Sequence, residues 1–187
     1  ADYKFFGEES GDLAGFVVES AGDVDGDGLD DILVGAYGIE DKGPITGGAY
    51  VILASSLGSS PTLELSDADY KFLGESSSDF AGYALSSAGD VDGDGLDDLL
   101  IGSSGQDEGG EHAGAAYVIL GSTLASNPPS ELADADYKFV GETEDDWAGY
   151  SVSTAGDVDG DGLDDVVIGA DGDDGGYMAH ASYVILG

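Results

Sequence analysis

The chain has 187 residues, and its 41% hydrophobic content is enough to build a packed core in one or two globular domains. Against 40 acidic residues stand four lysines and no arginine, so the formal charge of -36 excludes nucleic acid and anionic membrane as natural partners. The absence of cysteine excludes disulfide scaffolds and thiolate metal sites, and the sequence contains neither an apolar run long enough for membrane insertion nor the pattern of a signal peptide.

The chain consists of three copies of one repeat. Tyr3, Tyr70 and Tyr137 recur at a spacing of 67 residues, and the third copy is one residue shorter in the loop before Tyr183. A fixed period of this length indicates a repeat architecture. The predicted repeat boundaries are 1–67, 68–134 and 135–187.

Each repeat contains four short runs that are typical of β-strands. The first run is alternating and aromatic-rich, at 3–6, 70–73 and 137–140. The second starts after an Ala-Gly pair, at 16–18, 83–85 and 150–152. The third is apolar and closed by glycine, at 32–35, 99–102 and 166–169. The fourth begins with tyrosine, at 50–53, 117–120 and 183–186.

The pattern predicts an all-β fold of four-stranded repeats in a radial arrangement. No sustained 3.6-residue periodicity is present, and the 33 glycines serve turns and close approaches of the backbone. The linkers 54–66 and 121–133 hold three of the four prolines, and the sequence leaves open whether they contain a turn of helix.

The nine-residue string DVDGDGLDD occurs at 23–31, 90–98 and 157–165. Its carboxylates at positions 1, 3, 5 and 9 are hard oxygen ligands around a tight turn, as calcium requires. We therefore predict three Ca²⁺ sites, one per repeat, with side-chain ligands at those positions and a backbone carbonyl from position 7. The predicted ligands are Asp23, Asp25, Asp27, Leu29 and Asp31; Asp90, Asp92, Asp94, Leu96 and Asp98; and Asp157, Asp159, Asp161, Leu163 and Asp165. We expect the position-8 acids Asp30, Asp97 and Asp164 to point away from the ion.

Other interpretations of the string are weaker. An EF-hand needs a glutamate at position 12, where this chain has Val34, Ile101 and Ile168. Magnesium is disfavoured by the number of protein oxygens. Acidic hairpin turns without an ion are disfavoured by the threefold recurrence, and a histidine-based zinc site lacks partners for His112 and His180.

The residues around the string resemble the FG-GAP repeat, the blade unit of the integrin α-subunit β-propeller. The resemblance covers all three repeats and includes Ala-Gly-(Phe/Tyr), Ala-Gly-Asp-Val-Asp-Gly-Asp-Gly-Leu-Asp-Asp and an apolar triplet followed by glycine. It implies blades of four antiparallel strands, calcium in the loop joining the first two strands, and extracellular adhesion or recognition. The chain departs from the family in having Ala-Gly for Phe-Gly, and no proline after Gly35, Gly102 or Gly169.

The blade order of the family implies that the chain is offset by one strand. Residues 3–7 are then an outer strand without a blade, and the third repeat lacks its outer strand. Because propellers close with typically four to eight blades, three blades leave open edges. Three arrangements would pair these edges. They are further repeats of a longer chain, closure with another copy, and donation of the first strand to the next copy in an open array.

The sequence therefore favours a non-catalytic, extracellular or cell-surface calcium-binding protein that acts as an adhesion module or self-assembling scaffold. The expected partners are other copies of the chain or further repeats, with a protein or glycan adhesion ligand as a further candidate. The alternative is an accessory propeller domain of a secreted hydrolase. No nucleophile elbow or phosphate-binding glycine loop is present, so we expect no enzyme.

Three sets of residues recur in phase outside the string. We expect Trp147, which aligns with Leu13 and Phe80, to pack in the core at the entry to a strand. For the lysines Lys4, Lys71 and Lys138 we prefer a solvent-facing position to pairing with acids of a neighbouring blade. We assign no role to the glutamates Glu8, Glu75 and Glu142.

Overall fold

The computed structural model describes residues 2–58, 61–172 and 180–187. Its strands are β1 Lys4–Phe6, β2 Val18–Gly22, β3 Asp31–Gly35, β4 Gly48–Ile52, β5 Thr62–Glu64, β6 Tyr70–Leu73, β7 Ala81–Gly89, β8 Asp98–Ser103, β9 Ala115–Ile119, β10 Tyr137–Val140, β11 Ala148–Gly156, β12 Asp165–Ala170 and β13 Ala181–Ile185. The linkers contain the 3₁₀ turns Ala54–Ser56, Leu65–Asp67 and Leu132–Asp134 and the short helix α1 Gly121–Ser126. The short helical elements answer the question that the sequence left open for the linkers.

Three antiparallel sheets form the body of the molecule. Blade 1 has the strand order β2-β3-β4-β6, blade 2 has β7-β8-β9-β10, and blade 3 has β11-β12-β13 within the described residues. The all-β class with four-stranded antiparallel blades is therefore confirmed, and the sheets of the described part of the chain do not close into a barrel. The outer strand of each complete blade comes from the start of the following repeat. The repeat boundaries stay a prediction, and the shortened loop of the third repeat at 173–179 lies outside the described residues.

Apolar side chains between the sheets form the core. The strands β4, β8 and β9 are buried along their whole length, which agrees with the apolar residues in the centre of each. One cluster lies between blade 1 and blade 2 and contains Val51, Phe72 and Tyr117, all fully buried. A second lies between blade 2 and blade 3, around Leu100 and Ile168. Each sheet thus packs its apolar face against the neighbouring sheet.

The first strand belongs to none of the three blades. β1 pairs in parallel with β5, and the Lys4 N–H donates to the Pro61 carbonyl at 2.9 Å. The outer strand β6 makes a parallel contact in the same register one repeat later, where Leu73 bridges Glu131 as Phe6 pairs with Glu64. The Leu73 N–H donates to the Ser130 carbonyl at 3.0 Å in this contact. Phe5 packs against the free face of blade 1. β1 therefore packs beside blade 1 in the same way as β6, the outer strand of blade 1, packs beside blade 2.

The expected core position of Trp147 and its counterparts is wrong. Leu13 is 51% exposed, Phe80 and Trp147 are half-buried, and all three adopt a left-handed backbone with φ of 54° to 55°. Trp147 stacks on His112 with ring centroids 4.5 Å apart. These residues end the acidic turn that precedes the inner strand. Their side-chain positions therefore follow from the left-handed backbone of the turn and not from a place in the core.

Candidate metal centre

Each aspartate string forms the loop between the first two strands of a blade. In the first loop, between β2 and β3, Asp23 Oδ1 accepts a hydrogen bond from the Gly26 N–H at 2.8 Å, and its Oδ2 accepts one from the Gly28 N–H at 2.9 Å. Asp25 and Asp27 each accept one from the N–H two residues further on. The same bonds recur at Asp90, Asp92 and Asp94 and at Asp157, Asp159 and Asp161.

The glycines of the string allow the tight turn. Gly26 and Gly28 adopt φ of 77° and 87°, a region that residues with a Cβ seldom enter. Their counterparts in the other loops adopt the same region. The aspartates and glycines together therefore determine the loop conformation, which explains why the string repeats without change.

The loops bring carboxylates into three clusters. The grouped oxygen atoms lie within 4.8 Å of one another in each cluster, which consist of Asp23, Asp25 and Asp27; Asp90, Asp92 and Asp94; and Asp157, Asp159 and Asp165. Within the described residues, no histidine takes part in such a group. A donor set of carboxylate oxygens fits calcium and other hard cations and does not fit soft or nitrogen-preferring metals.

The position-9 aspartates connect each loop to the linker behind the blade. Asp98 is fully buried, and its two oxygens accept hydrogen bonds from the Val91 and Gly121 N–H groups, both at 2.9 Å. Burial raises the pKa of the Asp98 carboxyl to about 6, since desolvation outweighs these bonds and the negative charges of Asp92 and Asp94 add to it. Burial raises the pKa of Asp31 for the same reason. A nearby cation would favour the ionised form of both.

Not every predicted ligand lies in a cluster. Asp31 and Asp98 lie outside the first two clusters, and Asp161 lies outside the third, where Asp165 takes its place. Leu29 and its counterparts use their N–H groups to hold the position-5 carboxylates, and ligation by their carbonyls stays a prediction.

The position-8 acids connect neighbouring loops. Asp97 Oδ2 accepts a hydrogen bond from the Asp23 N–H at 2.8 Å, while the Asp97 N–H donates to the Asp23 carbonyl at 3.0 Å. Asp164 repeats both bonds with Asp90. These contacts were not predicted from the sequence, although the recurrence of the position-8 acids in phase with the loop was a signal of a shared role.

A second contact between repeats was also missed. Glu8 Oε1 accepts hydrogen bonds from the Lys71 ammonium at 2.8 Å and from the Tyr50 hydroxyl at 2.9 Å, and the Lys71 contact lowers the pKa of Glu8. Glu75 holds Lys138 and Tyr117 in the same way, both at 2.8 Å. The preference for unpaired, solvent-facing lysines is therefore wrong at two of the three positions.

The two histidines lie away from the clusters. His112 Nδ1 is 3.3 Å from an Asp145 oxygen, and His180 Nδ1 is 2.9 Å from an Asp171 oxygen. A single carboxylate partner and partial exposure are typical of surface pairs. Among the described residues, no helix is long and apolar enough to cross a bilayer.

Comparison with known proteins gives matches along nearly the whole chain. The FG-GAP repeat family matches residues 18–52, 81–119 and 148–185. The chain is 31% identical to integrin alpha-PS5 of Drosophila melanogaster over 98% of its own length and 17% of that protein. It is 32% identical to integrin alpha-5 of Xenopus laevis over 92% of its length and 16% of that protein.

A relative of another kind also matches. Phosphatidylinositol-glycan-specific phospholipase D of Rattus norvegicus is 36% identical over 70% of this chain and 15% of its own length. The chain thus spans less than a fifth of each relative. Three matched segments, each coinciding with the inner three strands of one blade, show that the chain belongs to the FG-GAP repeat family.

Proposed function

We propose that the chain is a non-catalytic, extracellular calcium-binding module that serves adhesion or forms a structural scaffold, with one calcium ion in each repeat. The observation that supports the proposal best is the threefold carboxylate cluster, which has the same loop conformation in each blade. Hard oxygen donors within 4.8 Å of one another provide a site for a divalent cation.

The role of calcium in this proposal is structural. The clustered carboxylates hold the ion, and the ion supplies positive charge where the folded loop concentrates negative charge. The position-9 aspartates lie at the same loops and bond to the linkers. An ordered loop therefore supports the blade around it, and a ligand that binds only the folded state stabilises that state by mass action.

The extracellular assignment rests on cation supply and charge. Extracellular calcium modules bind at roughly 10⁻⁴ to 10⁻³ M, an affinity that is useful only where calcium is abundant. Three ions change the formal charge of the chain from -36 to only -30, so a strongly anionic surface remains. The likeness to two integrin alpha subunits supports a role in adhesion.

The phospholipase D relative supports the second candidate, an accessory propeller domain of a secreted hydrolase. Both candidates share the calcium sites and differ in what the rest of the polypeptide does. Binding of the isolated chain to cells or to an extracellular surface favours adhesion, whereas stimulation of a hydrolase supplied separately favours the accessory domain.

Calorimetric titration with calcium chloride tests the shared core of the proposal. We expect three bound ions per wild-type chain and two in Asp27→Asn, which loses one carboxylate of the first cluster. Asp67→Asn is the matched control, because it removes the same charge at an exposed acid outside the loops. Absence of calcium binding, or equal stoichiometry in Asp27→Asn and wild type, would contradict the proposal.

A further inference from the structure

Neighbouring aspartate loops touch each other through a junction that occurs twice within the chain. Asp23 donates its N–H to the Asp97 carboxylate at 2.8 Å, and its carbonyl accepts the Asp97 N–H at 3.0 Å. Asp90 and Asp164 exchange the same two bonds at 3.1 and 3.0 Å. The two junctions thus connect all three loops in series.

The junction is closely packed around these bonds. A Cβ at Gly22 would overlap the Asp97 carboxylate, and a Cβ at Gly26 would lie 3.0 Å from Leu96 Cδ2. The second junction repeats both contacts, at Gly89 and Gly93. The loops therefore cannot shift relative to each other without disturbing contacts on both sides.

A linker residue packs against both loops of each junction. The Gly121 N–H donates to Asp98 Oδ1 at 2.9 Å. A Cβ at Gly121 would lie 2.7 Å from Leu96 Cβ and 3.1 Å from the Val24 carbonyl oxygen, so this residue touches the second loop and the first. Gly187 has the same place between the third loop and the second.

Asp97 lies between two predicted ligands of its own loop. Positions 7 and 9 of the second loop are Leu96 and Asp98, and the Asp97 backbone joins them. The Asp97 side chain holds the backbone of Asp23, whose carboxylate belongs to the first cluster. The position of Asp23 therefore depends on the conformation of the second loop at 96–98.

We infer that Asp97 and Asp164 are positioning residues that couple neighbouring cation sites, so that occupancy of one loop favours occupancy of the next. The inference rests on the proposed function, since it concerns the calcium sites of that proposal. In a loop without its ion, repulsion between the carboxylates opposes order. In an occupied second loop the residues on both sides of Asp97 are fixed, and Asp97 then holds Asp23 where the first cluster needs it. Less of the first loop remains to be ordered, and by linkage the effect is the same in the other direction.

Repulsion between two bound cations acts in the opposite sense. An ionic strength of about 0.15 M screens exposed charges beyond about 8 Å, whereas the junction acts through direct contact. Its bond from Asp23 goes to an ionised acceptor, and such bonds are about twice as strong as neutral ones. We therefore expect favourable coupling, with occupancy of one loop raising the affinity of its neighbour about five- to tenfold.

Calorimetric titration with calcium chloride at that ionic strength measures the coupling. Three equal sites in a row with this coupling give a Hill coefficient of about 1.6 to 1.8, and independent sites give one. Asp94→Asn and Asp27→Asn make the same change at position 5 and leave two sites each. Asp94→Asn removes the middle site, so the two remaining loops share no junction and should bind independently. Asp27→Asn leaves two adjacent loops and should give about 1.4 to 1.5. Equal coefficients in the two variants would overturn the inference.

Substitution of the positioning residues tests how the coupling is carried. The double variant Asp97→Ala with Asp164→Ala should still bind three ions, with a Hill coefficient near one. The corresponding pair of Asp→Asn changes keeps an acceptor oxygen and should retain most of the coupling. Asp30→Ala is the matched control, because this position-8 acid makes no bond to another loop among the described residues. Equal losses in the alanine and asparagine variants would overturn the positioning role, because the charge alone would then carry the effect.

Amide hydrogen exchange supplies a readout that does not depend on the number of bound ions. In Asp27→Asn, calcium in the second loop should slow exchange of the Asp23 N–H about fivefold, and the slowing should disappear when Asp97→Ala is added. Unchanged exchange at Asp23 would overturn the inference. A wild-type chain that binds three ions independently overturns this inference alone, whereas a chain that binds no calcium overturns the proposed function as well.

Discussion

Removal of calcium by an excess of chelator is expected to lower the melting temperature of the chain. Without the ion, each folded loop holds three carboxylates whose oxygen atoms lie within 4.8 Å of one another. The backbone N–H groups that bond to these oxygens offset only part of the repulsion, because they carry no net charge. The unfolded chain spreads the same charges apart, so the apo folded state is the one that is penalised.

The size of the effect follows from two independent estimates. At 4.8 Å in water, one pair of unit charges repels by about 0.9 kcal/mol, so three pairs in each of three loops give a gross repulsion of about 8 kcal/mol, part of which remains in the unfolded chain because the acids are close in sequence. Mass action at calcium concentrations of ten to a hundred times the dissociation constant gives about 1.4 to 2.7 kcal/mol per site, or about 4 to 8 kcal/mol for three sites. For a chain of this size, that range corresponds to a shift of about 8 to 30 °C.

Differential scanning calorimetry in calcium and in chelator measures the shift. Sodium chloride at matched ionic strength controls for general screening of the charge of -36, and magnesium tests the preference for the larger ion. Equal melting temperatures in calcium and chelator would refute the reasoning. Full recovery of the shift by sodium chloride would refute it as well, because the stabilisation would then come from screening and not from bound ions.

The remaining predictions compare matched variants by urea unfolding at concentrations where the chain is monomeric. Glu75→Ala loses contacts to a lysine and a buried tyrosine hydroxyl and should lower the free energy of unfolding by about 1 to 3 kcal/mol, whereas Glu142→Ala should cost under about 0.5 kcal/mol; equal losses would contradict the role of the pair. Gly89→Ala should cost about 1 to 3 kcal/mol more than Gly156→Ala, because both glycines have positive φ but only at Gly89 would the added Cβ meet an aspartate of the next blade; similar costs would exclude a tight inter-loop contact. Burial raises the pKa of Asp79, so its ionised form destabilises the folded state near pH 7, and this penalty disappears as pH falls towards the unfolded value of about 3.9. Asp79→Asn keeps an acceptor oxygen without the charge, so its advantage over wild type should shrink as the pH falls from 7 towards about 3.9, and a pH-independent difference would contradict the assignment.

The sequence predicted the parts of the structure that depend on local patterns. Alternating and apolar runs gave the strands, and the spacing of aspartates with glycines gave loops whose conformation recurs from Asp23 to Asp157. These features depend on residues close together along the chain. The family resemblance added the offset of one strand, which the pairing of β4 with β6 shows directly.

The contacts between repeats were harder to predict. Glu8 and Lys71 are 63 residues apart, and Asp23 and Asp97 are 74 apart, so no local pattern indicates that they meet. Their recurrence in phase showed a common role without identifying the partner. The misplaced Trp147 has a different cause, because a large apolar residue suggests burial and the sequence does not show that the backbone there is left-handed.

The origin of the outer strands has a consequence for synthesis of the chain on the ribosome. Residues 18–52 of blade 1 emerge well before β6, so that sheet remains incomplete until the beginning of the next repeat leaves the exit tunnel. The aspartate loop needs only the first two strands and the short linker that bonds to Asp31. We therefore expect each aspartate loop to form before its blade is complete, while the last edge of the nascent sheet is still open to a wrong partner.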